Sequence, residues 1–215
     1  MNEPQPWSWS VTDHEARWDG YFIRPGSDVL RNKVGALTIA ELASAENDLF
    51  EFRLAELRER PSIVERTWDL AHLRSLHQHL FQDIYEWAGD LRTVGIAKGG
   101  GESFAPPLSI DRPINYVAGQ IQEKALLTSL TDVSLVTVLT DLYDYANFAH
   151  PFREGNGRTQ REFFNQLMAE SGRGLNWSLI EMDTLHTACH VARTDANVGP
   201  LREIFEVIVS DDPAY

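Results

Sequence analysis

Along the chain, stretches with an apolar residue at every third or fourth position alternate with short runs rich in Gly, Pro and small polar residues. From Thr38 to Arg60, "TIAELASAENDLFEFRLAELRER" places Leu42, Leu49, Phe52 and Leu57 at helical spacing, and Pro61 stops the helix. "WDLAHLRSLHQHLFQDIYEWAGD" repeats the pattern with Leu70, Leu73, Leu76, Leu80, Phe81, Ile84 and Trp87, and Gly89 follows as the expected C-terminal cap. Further helices are expected over about 112–127, 134–148, 157–171, 180–193 and 200–209. Asp111-Arg112-Pro113 and Ser134 supply start signals for these, and Gly172 and Gly174 supply stops.

Between the second and third of these helices the period changes. "RTVGIAKGGGESFAPP" joins a short β-prone run to a triple glycine, Phe104 and two prolines, which predicts a β-hairpin over 92–106 with a mobile tip. Residues 1–35, rich in Trp, Pro and Gly, read as an irregular N-terminal segment. The expected architecture is therefore all-α, a single domain over 36–215 carrying one β-hairpin.

Composition narrows the function. The 215 residues are 43% hydrophobic, enough for one sizeable core, and carry a net charge of −13 from 32 acidic against 19 basic side chains. That balance speaks against direct nucleic-acid binding, which favours a basic stripe, and against an anionic membrane surface. Any cationic site must be local. One cysteine, Cys189, excludes an internal disulfide and a multi-cysteine metal site. The N-terminus lacks the basic-then-apolar order of a signal peptide, and no apolar run approaches a membrane span, so a cytoplasmic protein is expected.

The candidate chemistry is concentrated in "HPFREGNGRTQR", His150 to Arg161. "LTDLYDYANFAH" forms a helix with Leu139, Leu142, Tyr143 and Ala146 on its apolar side, and Pro151 biases His150 out of the helical region. The helix should end there and turn the imidazole into a loop. A new helix begins within "GRTQREFFNQLMAE", so Gly155-Asn156-Gly157 sits at a helix N-terminus. Unpaired amides and the helix dipole attract anions at such a place, and the glycines permit unusual dihedrals and close approach. Arg158 and Arg161, three apart, leave the first turn on one face. Amides plus cations on one face suit a polyphosphate. Glu154 beside them could hold Mg²⁺ against phosphate oxygens, and His150 could act as base toward a hydroxyl attacking phosphorus.

The stretch resembles the signature of the Fic family, His-x-Phe-x-Asp/Glu-Gly-Asn-Gly-Arg-x-x-Arg, and departs from it nowhere. "LHQHLFQDIYEWAGDLRTV" followed by "KGG" is similar to the family's helix and flap hairpin, and "GSDVLRNKVG" to a segment near its start. The likeness runs from about Tyr21 to Val209 and implies a Fic-type helical bundle with one β-hairpin flap. It also implies transfer of AMP from ATP to a hydroxyl side chain of a target protein. By position, His150 would be the base and Phe152 the anchor of the loop. Glu154 would hold Mg²⁺, while Gly155, Asn156 and Gly157 would cradle phosphates, with the Asn156 side chain orienting the α-phosphate. Arg158 would neutralise the β-phosphate and Arg161 the γ-phosphate. The flap, with Thr93, Val94, Gly95, Ile96 and Ala97, would pair with an extended target segment.

Blander readings stand beside these. Lys98, Gly99, Gly100 and Gly101 either line the nucleotide from the flap or form a flexible turn, and Lys33 either approaches the base or ribose or is a surface lysine. His72, His77 and His79 read as packing, since His77 and His79 face different sides of one helix. His186 and His190 have metal-like i, i+4 spacing without further ligands, so packing or a nucleotide-side contact is expected. Cys189 lies on an apolar stripe and should be buried. Two other functions remain open: a protein kinase of the Doc type, whose motif carries lysine where this chain has Gly157, and a non-catalytic nucleotide-binding module.

The resemblance also implies control. Many Fic proteins are inhibited by a helix bearing Ser/Thr-x-x-x-Glu-Gly/Asn, whose glutamate pairs with the second arginine of the motif. Here only Glu46 and Glu154 precede Gly or Asn, and Leu42 and His150 stand four residues before them. A toxin-like protein, with a small antitoxin supplying the glutamate to Arg161 in trans, is the expectation, with a degenerate internal version in "LASAEN" at Glu46 as the alternative. Type II topoisomerase subunits are the target class the likeness suggests.

Overall fold

The computed structural model describes residues 14–98 and 102–213. Eight α-helices dominate it among the described residues: α1 (His14–Asp19), α2 (Ile39–Glu59), α3 (Leu70–Phe81), α4 (Asp111–Glu123), α5 (Asp132–Ala149), α6 (Asn156–Glu170), α7 (Met182–Asp195) and α8 (Gly199–Ile208). Two two-residue strands, β1 (Gly174–Leu175) and β2 (Val209–Ser210), pair antiparallel. This is the helical architecture the apolar periodicity predicts, although the small sheet had no signal in the sequence.

Local chemistry explains the starts. Thr38 closes a capping box with Glu41 at the head of α2, and Asp69 accepts from the amides of Ala71 and His72 at the head of α3. α3 packs on α2 and on α6, α6 packs on α5, and α4, α7 and α8 surround the rest of α5. The two helices flanking the motif loop are thus the innermost, and Leu139, Leu142, Phe164 and Leu167 are fully buried on them.

Three expectations need correction. α3 ends at Phe81, not near Trp87. Apolar periodicity continues past it because the following turn also drives Ile84, Tyr85 and Trp87 into the core. Gly89, at φ +84°, is held by tertiary bonds: its amide donates to His77 Nδ1 and its carbonyl accepts from Arg74 Nε. The helix expected to reach residue 127 stops at Glu123, where a turn through Ala125, Leu126 and Leu127, all at positive φ, brings Leu127 into the core. The N-terminal stretch expected to be irregular contains α1 and sends Tyr21, Val29 and Leu30 into the core.

Among its described residues the expected hairpin has one bridge, Ala97 to Ser103, with the Phe104 amide donating to the Ile96 carbonyl. Of the expected target-docking residues, Thr93 and Val94 are buried, Ile96 is half-buried, and Gly95 and Ala97 are exposed. Gly99, Gly100 and Gly101 lie outside the described residues.

Candidate active site

α5 ends at His150, which takes a left-handed conformation (φ 40°, ψ 61°) ahead of Pro151. From there to α6 the loop is built largely from its own residues. The Asn156 side chain accepts from the Phe152 amide and donates to the Phe152 carbonyl, both at 2.8 Å. Both ends of that amide are therefore engaged in shaping the loop, and one N–H of its nitrogen remains beyond these two bonds. Phe152 is fully buried and stacks on His77 at 3.9 Å.

Gly155 is required twice over. Its φ is +79°, and a β-carbon there would lie 2.6 Å from the Phe81 ring. Gly157 differs. It lies inside α6 without a positive φ, and a β-carbon would only touch an Arg161 guanidinium nitrogen at 3.5 Å. The expectation of unusual dihedrals thus holds for the first glycine and fails for the second, whose lack of a side chain opens space in front of Arg161.

A cleft of about 750 Å³ runs along this loop, bounded by α7 and by the flap at Ile96, Ala97 and Lys98. His150, Glu154, Gly155, Asn156, Gly157, Arg158 and Arg161 all line it, so the structure brings together every candidate from the motif. Lys33 is not brought there: its ammonium donates to the Gln82 carbonyl at 2.7 Å. His186, Cys189 and His190 reach the cleft from α7. Burial pushes the Cys189 thiol up to about 12, as its apolar stripe suggests. Among the described residues no group of three or more His, Cys, Asp or Glu could hold a metal alone.

The electrostatics suit an anion and a neutral base. Burial, with the Arg92 guanidinium adding to it, pushes the His150 imidazole down to about 3. Its Nδ1 lies 3.3 Å from the Asn147 carbonyl, which favours the tautomer that leaves Nε2 as the acceptor. The Phe104 ring stacks on the imidazole at 3.7 Å. The Glu154 carboxylate accepts from the Gly155 amide at 3.0 Å, stands 4.0 Å from Arg158 Nη2 and is 47% exposed. Burial lowers the Arg161 pKa, and among the described residues no carboxylate is one of the groups acting on it.

Four residues support the site through partners the sequence did not signal. Arg92, almost fully buried, donates to the carbonyls of Val94, Ala105, Ala149 and His150, tying both legs of the flap to the loop. His77 accepts from the Gly89 amide at Nδ1, so Nε2 carries the proton given to the Glu154 carbonyl at 2.9 Å. Arg153 places its guanidinium over Trp18, Tyr21 and Phe22, joining α1 and the segment after it to the motif. Glu46 pairs with Arg158. A lone arginine or histidine on a helix or loop gives no sequence signal of such long-range partners.

Residues 67–168 match the family model described as Fic/DOC family. A "Probable protein adenylyltransferase Fic" from Salmonella typhimurium is 32% identical over 190 residues, spanning 88% of this chain and 92% of the relative. A "Protein adenylyltransferase" from Bartonella henselae is 30% identical over 203 residues, 87% of this chain and 37% of that protein. Among solved structures, the BepC protein of Bartonella tribocorum with bound AMPPNP superposes with a TM-score of 0.82 at 26% identity, covering 89% of this chain and 96% of that one. With the complete motif assembled on one cleft and a relative 32% identical over 92% of its own length, the chain belongs to the Fic/DOC family.

Proposed function

We infer that this chain is a protein adenylyltransferase, moving AMP from ATP to a hydroxyl side chain of a target protein. One observation carries the reading: an uncommitted imidazole nitrogen, a helix N-terminus and two arginines face one cleft. In this reading His150 Nε2 takes the proton of the target hydroxyl as its oxygen attacks the α-phosphorus. The bond from that phosphorus to the β-phosphate bridge breaks, and pyrophosphate leaves. The amides at the head of α6 cradle the phosphates, with Arg158 on the β-phosphate and Arg161 on the γ-phosphate. Relatives bearing the name protein adenylyltransferase, and solved neighbours holding AMPPNP or ADP, support ATP as the donor.

Mg²⁺ fits the donor set. A single exposed carboxylate, Glu154, is too little for an all-protein cage but suits an ion that takes the rest of its shell from phosphate and water. Bound there, it would offset the charge of the phosphates.

Incubation of the protein with cell lysate and ATP labelled at the α-phosphate should mark a target band, and ATP labelled at the γ-phosphate should not. The reverse result would make this a Doc-like kinase. ATP binding without labelling in either case would make it a non-catalytic module.

The finer reading is of a toxin acting in the cytoplasm with a small antitoxin in trans. The one glutamate resembling the inhibitory motif, Glu46, is engaged with Arg158, and among the described residues no carboxylate stands against Arg161. Expression alone should arrest growth, and both His150→Ala and a co-expressed small protein bearing the motif should relieve it. Type II topoisomerase subunits are the first targets to assay, as purified acceptors with labelled ATP.

A further inference from the structure

Along the buried side of α2 stand Leu42, Glu46, Phe50, Leu54 and Leu57, so a carboxylate occupies a position where the pattern wants an apolar side chain. Burying an ion there is unfavourable unless its oxygens are matched. Both are. One oxygen of Glu46 receives Nη2 of Arg158, and the other receives the hydroxyl of Tyr85, itself almost fully buried. Burial, reinforced by the neighbouring Glu46 charge, raises the Tyr85 pKa, so the phenol stays a donor at any working pH. The Arg158 guanidinium lies over the rings of Phe50 and Phe81, at 5.2 and 4.9 Å, while the same residue lines the cleft.

We propose that Glu46, oriented by Tyr85, is a positioning residue that holds Arg158 in the pose in which it meets the β-phosphate. This rests on the phosphate reading of the cleft. The pairing differs from the inhibitory arrangement expected from the resemblance, since it engages the first arginine of the motif and leaves the second free of it. A long arginine side chain at the edge of a cleft has many rotamers. Fixing one guanidinium nitrogen on a buried carboxylate, with two rings against its face, removes most of that freedom before the ligand arrives. The remaining donors stay available to phosphate oxygens.

The inference predicts an effect confined to ligands with a β-phosphate. Affinities for ADP and for AMP, measured by titration calorimetry with Mg²⁺, should separate. Glu46→Ala should weaken ADP about tenfold while leaving AMP within about twofold. Tyr85→Phe and the isosteric Glu46→Gln should do the same to a smaller extent, and serve if Glu46→Ala folds poorly. Arg158→Ala should weaken ADP at least as much, and adding Glu46→Ala to it should weaken ADP no further. Equal loss of ADP and AMP would overturn the proposal in favour of a structural role, and tighter ADP binding would overturn it in favour of competition with the ligand. If Arg158→Ala itself leaves ADP untouched, the phosphate reading falls and takes the proposal with it. If Arg158→Ala weakens ADP and Glu46→Ala does not, only the proposal falls.

Discussion

The motif loop and the flap face each other across the cleft, yet they are held by opposite means. The loop from His150 to Gly157 is fastened in good part by near neighbours in sequence, with Arg92 and His77 bonding the His150 and Glu154 carbonyls from outside. Asn156 bonds both backbone groups of Phe152, the Glu154 carboxylate takes the Gly155 amide, and the Thr159 hydroxyl donates to the Gly155 carbonyl. The flap shows one β-bridge among its described residues and depends on two arginines, one at its own foot and one on α7. Arg92 grips its base through Val94 and Ala105, and Arg193 of α7 reaches its outer part through Lys98 and Glu102. A surface that must hold a triphosphate in one geometry gains from local over-determination. A surface that must admit a protein segment gains from a few separable contacts.

The largest expected effect tests the chemical end of this contrast. His150→Ala should lower transfer about 10²–10⁴-fold, because it removes a base and none of the phosphate-binding groups. ADP affinity should stay within about twofold, since Arg158, Arg161 and the α6 amides remain. Parental-rate labelling by this variant would mean that His150 is not the base. The pH profile sharpens the point. A base held at about 3 is still neutral as pH falls through 6.5, so kcat/KM should not lose an acid limb there. A limb centred near 6.5 would mean that the cover on His150 is off in the free enzyme.

Next in size is a comparison inside the loop. Gly155→Ala must place a methyl against Phe81 at a left-handed φ, and should destabilise the fold by about 3 kcal/mol. Gly157→Ala meets only ordinary contact within a helix and should change stability by less than about 1 kcal/mol, in the stabilising direction. Urea unfolding of the two variants measures both. Equal losses would mean that the loop is held less locally than its bonds imply.

The same contrast explains what could be read from the chain. The end of α5 at His150-Pro151, the left-handed Gly155 and the start of α6 are consequences of neighbours in sequence, and all were legible. The end of α3 was not, because its apolar spacing runs on into a turn whose side chains fill the same core. Glu46 looked like a failed inhibitory glutamate because its partners, Tyr85 and Arg158, lie 39 and 112 residues away. Arg92 looked like the first residue of a strand, whereas three of its four carbonyl acceptors, Ala105, Ala149 and His150, lie 13, 57 and 58 residues away. For the second glycine of the motif only one of the two expected reasons, the unusual dihedral, fails. Composition cannot separate a glycine needed for its dihedral angle from one needed for the space in front of it.

The smallest expected effect bears directly on the flap. Arg193 donates from Nε to the Glu102 carbonyl at 3.0 Å and from Nη2 to the Lys98 carbonyl at 3.3 Å, and its guanidinium lies 4.4 Å over the Phe104 ring. Phe104 in turn covers His150. These acceptors are on exposed residues that water can satisfy, so Arg193→Ala should lower global stability by no more than about 1 kcal/mol. The cost should appear locally. Tryptic cleavage after Lys98 should speed up several-fold, because an open flap is the form a protease cuts. With Phe104 less often stacked on the imidazole, the His150 pKa read by NMR should move up toward 6.5, since burial is the main cause of its depression. Transfer to a protein target should weaken while ADP binding holds. Arg193→Lys should recover only part of this, having a single point charge where two carbonyls and a ring face are served. Were cleavage and the His150 titration unchanged in Arg193→Ala, the flap would be held by its own backbone, as the loop is, and the two sides of the cleft would no longer differ in kind.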